Sequence, residues 1–190
     1  MLSLLLAVLL LLGLIVVTGG LRPVPQTPLA TLAVDQISRG EPWNVTVTGA
    51  RLASDLTPAA YLHDRAHHWV AVIAEVEITA PESRADLLEV VRLRGIDGLG
   101  EHPGAMVEEG LVRPDAVLRV RDAASARLLH PGLPEQLVFL WERASDAPPP
   151  PEVTVLIIGM TWRESSLTGA WEWLDAAPRA QVMVPLVDQR

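Results

Sequence analysis

Three histidines and an aspartate lie close together at His63, Asp64, His67 and His68. Imidazole nitrogens and carboxylates are the donors that zinc and related ions take from proteins, and residues four apart share one face of a helix. This spacing makes His63, Asp64 and His67 candidate metal ligands. The HExxH pattern of zinc proteases is absent, because Asp64 and not a glutamate follows His63.

The residues that follow favour a plainer interpretation. Apolar and β-branched side chains run almost without interruption over 69–78, and charges enter only at Glu75 and Glu77. This pattern is typical of a central strand that emerges into solvent. We therefore predict that residues 63–68 form a solvated turn leading into a buried strand. Binding of a metal or a small ligand at this turn is the alternative.

Other catalytic groupings are missing from the sequence. The chain has no cysteine, which removes thiol nucleophiles, thiolate metal ligands and disulfides. Residues 165–169 lack the Gly-x-Ser-x-Gly elbow of serine hydrolases. The neighbouring carboxylates Glu108 and Glu109 precede Gly110, as expected of a solvated loop. We predict a protein that is not an enzyme, with no catalytic residue and no cofactor.

The charge of the chain indicates which partners to exclude. Its formal net charge is -8, and its arginines form no basic cluster. Binding to a nucleic-acid backbone depends on clustered Lys and Arg that displace counterions. Nucleic acid is therefore not a predicted partner.

The first 21 residues contain no charged side chain, and Arg22 is the first to break the apolar run. A helix needs about 20 apolar residues to span a bilayer. We predict a retained transmembrane anchor over 1–21 that meets the membrane through residues 2–21, then a Pro-rich spacer at 22–40 and an extracytoplasmic domain at 41–190. A cleaved signal peptide, which would release a secreted domain, is the alternative.

Beyond residue 41 the apolar pattern repeats mostly every second residue, and helical periodicity is almost absent. A short helical turn is predicted at 123–129. The predicted strands are 43–49, 68–78, 87–95, 116–120, 136–143, 153–160, 171–174 and 180–187. Seven or eight short strands separated by turn residues predict an antiparallel β-sandwich.

Four segments carry a resemblance to a known family. They are NVTVTGARL, HHWVAVIAEVEI, LLEVVRLRGIDG and LHPGLPEQLVFLWE. In order, they resemble an uncharacterised family of bacterial extracytoplasmic domains that have an immunoglobulin-like, telokin-like fold and often an N-terminal membrane segment. In that family a "pGe" turn introduces a core strand, and LHPGLPEQLVF is similar to it. The resemblance implies the fold, the compartment and a noncatalytic role, and it implies no site residues.

A β-sandwich uses its strand faces for the core, so contacts with partners come from loops or an exposed edge. The longest predicted loops are 56–67, 95–114 and 163–170. We predict a noncatalytic, membrane-tethered interaction module, for example an accessory subunit of a cell-envelope or transport complex, with another envelope protein as partner. The alternative is a secreted or tethered protein that binds a metal or small ligand through 63–68.

Overall fold

A computed structural model of the chain describes residues 28–144 and 148–190. The predicted membrane segment at 1–21 lies outside these residues, and so does the first part of the predicted spacer, 22–27. Within the described ranges, no helix is long and apolar enough to cross a membrane. This part of the chain is all-β, with one 3-10 helix at Leu87–Glu89 and no α-helix.

Eleven strands form the described part of the chain, more than the seven or eight predicted. The four strands β1, β2, β6 and β7 have only two or three residues, which is too short for an alternating pattern to show in the sequence. The bounds are β1 (Ala30–Leu32), β2 (Ile37–Ser38), β3 (Trp43–Ala53), β4 (His68–Ile78), β5 (Val91–Arg94), β6 (Val107–Glu108), β7 (Leu111–Val112), β8 (Ala116–Arg119), β9 (Glu135–Arg143), β10 (Glu152–Glu164) and β11 (Trp171–Asp188).

The strands form two layers that share β11. The first layer has the order β6-β7-β5-β10-β11, with β1 beside β11, and the second has the order β3-β4-β9-β8, with β2 beside β3. β11 pairs with β10 along most of its length and then with β3 at 186–188. Its pairings with β1 and β3 are parallel. The predicted antiparallel arrangement is therefore wrong at these two pairings, because β1 and β3 run in the same direction as β11.

The core lies between the two layers and receives side chains from both. One hydrophobic cluster contains residues of the second layer and of the first: Val45, Val72, Phe139, Val91, Val155 and Val182. All six side chains are fully buried. Burial of apolar surface on this scale is the main force that holds such layers together.

Two tryptophans in the core satisfy their indole N–H groups. The Nε1 of Trp43 donates to the carbonyl of Ile158 at 2.6 Å, and the Nε1 of Trp141 donates to the carbonyl of Val112 at 2.9 Å. Buried indoles normally find such a partner, because an unsatisfied N–H in the interior is destabilising. Each bond also joins the second layer to a strand of the first.

Strands β4 and β9 confirm the sequence pattern almost residue for residue. β4 has the predicted bounds, and β9 begins one residue earlier than predicted, at Glu135. They pair in antiparallel register from His68 with Arg143 to Val76 with Glu135. This register places the turn before β4 next to the end of β9.

Strands β3, β10 and β11 are longer than predicted, and β10 continues past residue 160 to Glu164. In β3 and β11 the sheet accommodates residues that usually end strands. β3 continues past Gly49 to Ala53, since the register shifts at this glycine. The segments 171–174 and 180–187 belong to the single strand β11. Pro178 lies within it, at a second register shift opposite Ile158. Prolines in strands are tolerated at such irregularities.

The predicted helical turn at 123–129 is wrong. Residues 120–122 form a turn, and the segment then makes isolated bridges, Ser125 with Leu118 and Leu129 with Arg84. Backbone bonds to neighbouring segments replace the local bonds of a helical turn. Similarly, residues 87–89 of a predicted strand form the 3-10 helix.

The predicted spacer also contributes to the sandwich. β1 pairs with β11 and β2 pairs with β3, so the sandwich includes residues 30–38 and its boundary lies before residue 41. The parallel register sets Ala30 beside Ala180 and Leu32 beside Val182. Towards Pro28, the chain therefore runs back along β11 in the direction of the turn between β10 and β11.

Candidate functional site

Glu142, near the end of β9, is a charged residue in the interior. Its side chain has 0% of its surface accessible. The turn before β4 covers it, because the β4–β9 register brings residues 63–67 over this strand end. The backbone N–H of Glu142 donates to Oδ2 of Asp115 at 2.7 Å. A buried carboxylate is stable only if hydrogen bonds replace the water that it loses.

The turn supplies these hydrogen bonds. The backbone N–H of His63 donates to both carboxylate oxygens of Glu142, at 2.9 and 3.0 Å, and the N–H of Asp64 donates at 3.2 Å. The Nδ1 atoms of His63 and His67 lie 2.6 Å from Oε2 and 2.7 Å from Oε1. An ionised carboxylate only accepts, so both rings carry a proton on Nδ1.

These contacts decide the charge of Glu142. Burial by itself raises the pKa of this carboxyl group, but the hydrogen bonds from His63, His67 and Asp64 outweigh burial and lower the pKa to about 2. Hydrogen bonds to the charged form of a carboxylate have this effect. Glu142 therefore carries a full negative charge at neutral pH.

A third imidazole lies against the first. The rings of His63 and His102 stack with centroids 4.8 Å apart and planes 19° apart. The side chain of His102 is 3% exposed, and its Nδ1 lies 3.2 Å from the carbonyl oxygen of Pro103. Its Nε2 is 3.1 Å from Oδ1 of Asp115, close enough for an ion pair, but the geometry is not that of a hydrogen bond. Burial raises the pKa of Asp115.

We call these five residues the His–Glu cluster: His63, His67, His102, Asp115 and Glu142. Within it, His63, His102 and Glu142 each offer one potential ligand atom, and these atoms lie within 4.8 Å of one another. The donor set of two imidazoles and one carboxylate suits a transition-metal ion.

The structure brings together two of the three residues proposed from the sequence. His63 and His67 meet at Glu142, whereas the Asp64 carboxylate accepts from the N–H of Ala66 at 2.9 Å within its own turn. Sequence reasoning missed His102, Asp115 and Glu142. The sequence held one indication of Glu142, a glutamate beside Trp141 at the end of an apolar strand. No local pattern links this glutamate to the turn at His63, 79 residues away.

A different exposed feature lies at the far end of β4. β10 and β11 extend beyond the sandwich as a hairpin, residues 161–174, which we call the tryptophan hairpin. The ring of Trp162 lies 6.3 Å from that of Trp171 and 5.3 Å from that of Trp173. Trp162 is 41% exposed, Trp171 is 59% exposed, and Leu167 at the tip is 96% exposed.

The base of the hairpin is fixed to the sandwich. The guanidinium of Arg84 lies 5.7 Å from the ring centre of Trp173 and 5.8 Å from that of Trp43. Such cation–π contacts stabilise by about 0.5–2 kcal/mol. A shallow cleft between Trp162, Trp173, Glu41, Pro81 and Glu82 lies beside this contact. The aromatic surface is therefore attached to a rigid body.

The fold is that of an all-β sandwich, which confirms the sequence prediction at this level. A similar fold occurs in the crystal structure of an uncharacterized β-sandwich protein from Clostridium difficile 630, with a TM-score of 0.50 and 7% sequence identity over 86% of this chain and 97% of that chain. Similarity at this identity concerns the fold alone. No protein-family model and no curated protein matches the sequence.

Proposed function

We propose that this protein is a noncatalytic interaction module with an immunoglobulin-like, telokin-like sandwich, held outside the cell membrane by residues 2–21. The observation that carries this proposal is the tryptophan hairpin. This hairpin exposes three large apolar side chains: Trp162 and Trp171, which are neighbours, and Leu167 at the tip. Side chains of this kind are normally buried in the core of a protein. Clustered exposed aromatic residues are typical of surfaces that bind other proteins.

The direction of the chain supports a partner at the membrane. Since β1 runs parallel to β11, the chain at Pro28 points towards the tryptophan hairpin. Residues 22–27 can span at most about 20 Å. A predicted anchor that ends at residue 21 would therefore place the membrane on the side of the sandwich from which the hairpin projects.

The charges around the aromatic rings favour a protein surface over an anionic lipid surface. Arg163 forms an ion pair with Asp175 at 2.5 Å, and Glu172 accepts from the hydroxyl of Thr168 at 2.9 Å. Glu164 lies on the same hairpin, so acidic side chains outnumber basic ones here. A polar rim around an apolar centre is the usual anatomy of a protein interface.

The proposal can be tested by crosslinking in intact cells. A photoreactive amino acid at position 167, the exposed tip of the hairpin, is expected to give one discrete adduct between the full chain and an envelope protein, identified by mass spectrometry. The matched control carries the same probe at Met183, which is also exposed on β11 but lies away from the hairpin. Trp162→Ala is expected to reduce the adduct from position 167. Equal adducts from both positions, or none, would contradict the proposal.

The tether is tested separately. Protease added to wall-stripped cells is expected to digest the domain of a full-length, membrane-bound protein from outside. A shortened soluble product in the medium would show that a signal peptide is cleaved and would overturn the tethered arrangement.

A further inference from the structure

We propose that His63, His102 and Glu142 bind one divalent transition-metal ion, a property that is independent of the interaction function. Ligand atoms bound at 2.0–2.1 Å in a tetrahedral site are about 3.4 Å apart. The three candidate atoms lie within 4.8 Å of one another, close enough for one ion to reach all three once a side chain turns.

His102 supplies the observation that points to a cation. A carbonyl oxygen only accepts, so the contact of Nδ1 with Pro103 requires a proton on Nδ1. In the neutral ring, Nε2 then presents a lone pair 3.1 Å from Oδ1 of Asp115, and no hydrogen bond satisfies it. With the Asp115 carboxylate ionised and this ring neutral, two acceptors face each other in the interior. A positive ion bound at Nε2 removes this conflict.

The stacked rings show which side chain moves. An imidazole nitrogen binds a metal in the plane of its ring, and two planes only 19° apart do not meet at one ion near both rings. His102 is buried, whereas the His63 side chain is 55% exposed and can turn. Rotation of His63 gives up its hydrogen bond to Oε2 of Glu142 and leaves this oxygen available as the third ligand.

His67 has a supporting role in this arrangement. Its Nδ1 lies 2.7 Å from Oε1, the other oxygen of Glu142, and the backbone N–H groups of His63 and Asp64 donate to the same carboxylate. These bonds hold the carboxylate in place while Oε2 binds the metal. Partners of this kind orient ligands at many metal sites.

The donor set selects the class of ion. Two imidazoles and one carboxylate suit Zn²⁺, Cu²⁺ or Ni²⁺, whereas Ca²⁺ and Mg²⁺ prefer sites made of oxygen. Three protein ligands leave a fourth position for water. The turn at residues 63–67 covers Glu142, and the His63 side chain is 55% exposed, so the site opens towards solvent when His63 turns.

The test is calorimetric titration of Zn²⁺ and Cu²⁺ into the full chain in detergent, without an affinity tag that contains histidine and after treatment with a chelator. One ion per chain is expected to bind with a dissociation constant in the micromolar range or below. His63→Ala and His102→Ala are each expected to weaken binding at least about tenfold. The matched control is His130→Ala, whose ring contacts Ser83 and not the cluster.

Two further measurements keep the proposal falsifiable if His102→Ala unfolds. His63 is largely exposed, so His63→Ala is expected to fold. The electron paramagnetic resonance spectrum of bound Cu²⁺ is expected to show coupling to two imidazole nitrogens in the wild type and to one in His63→Ala. The absence of stoichiometric binding, an unchanged affinity in His63→Ala, or an equal loss in His130→Ala would overturn the proposal.

Discussion

The His–Glu cluster and the tryptophan hairpin lie at opposite ends of β4 and invert the usual distribution of side chains. The cluster encloses ionisable groups under a turn, whereas the hairpin presents large apolar rings to solvent. Enclosed charges are stable only as a complete network, so each member of the cluster depends on the others. The exposed rings contribute little to the stability of the fold and remain available for a partner. Substitution of a residue in the His–Glu cluster should therefore reduce stability, whereas substitution of a residue in the tryptophan hairpin should reduce binding to the partner.

The largest effect is expected from Glu142→Gln. An amide cannot accept all the hydrogen bonds that the carboxylate receives, so buried donors lose their partners. We expect the free energy of unfolding in urea to fall by about 2–3 kcal/mol. The control Glu75→Gln changes an exposed glutamate on β4 and should cost less than about 0.5 kcal/mol. Equal stability of the two variants would contradict the network.

The difference in stability between wild type and Glu142→Gln should depend on pH, which tests the role of the charge on Glu142. The pKa of Glu142 is lowered from 4.5 to about 2 by folding. A lowered pKa stabilises the folded state above the unfolded value, and this contribution disappears as pH falls from about 4.5 towards 2. In chelator, the advantage of wild type over Glu142→Gln should therefore shrink by about 2 kcal/mol between pH 6 and pH 3. A constant difference, measured in urea at both values, would refute the assignment.

In the tryptophan hairpin, a substitution should affect partner binding more than stability. Trp171→Ala removes a ring that is mostly exposed and whose centroid lies 6.3 Å from that of Trp162. We expect a loss of less than about 1 kcal/mol, because exposed substitutions rarely cost more. The same variant should abolish most crosslinking from position 167. A loss as large as that of Glu142→Gln would show that the hairpin is structural.

The smallest effect is expected from Asp64→Ala. This substitution removes one side-chain hydrogen bond, to the N–H of Ala66, in an exposed turn. The expected cost is about 0.5 kcal/mol, and the affinity for Zn²⁺ should stay within about twofold of wild type. Urea unfolding measures the change in stability, and calorimetric titration under the conditions used for His63→Ala measures the affinity. A tenfold loss of affinity would restore Asp64 as a metal ligand.

The same contrast explains how much the sequence could predict. β4 and β9 were found because apolar alternation is a local property of a strand. The His–Glu cluster joins residues that are up to 79 positions apart, and only the register of β4 against β9 brings Glu142 under His63. Pro178 misled the prediction, because a register shift in a neighbouring strand decides whether the sheet accepts a proline. Such tertiary effects leave no local signal.

β11 has a consequence for how the protein matures. It is the last strand of the described chain, yet it lies between β10 and β3 in the order of strands. A ribosome delivers the chain from its N-terminus, so one edge of β10 and the stretch 50–52 of β3 stay unpaired until β11 emerges. The two layers can close only after synthesis of the domain is complete. An export pathway that transports extended chains would therefore receive this one before it has folded, and a chain that stops before Trp171 would expose the edges that promote aggregation.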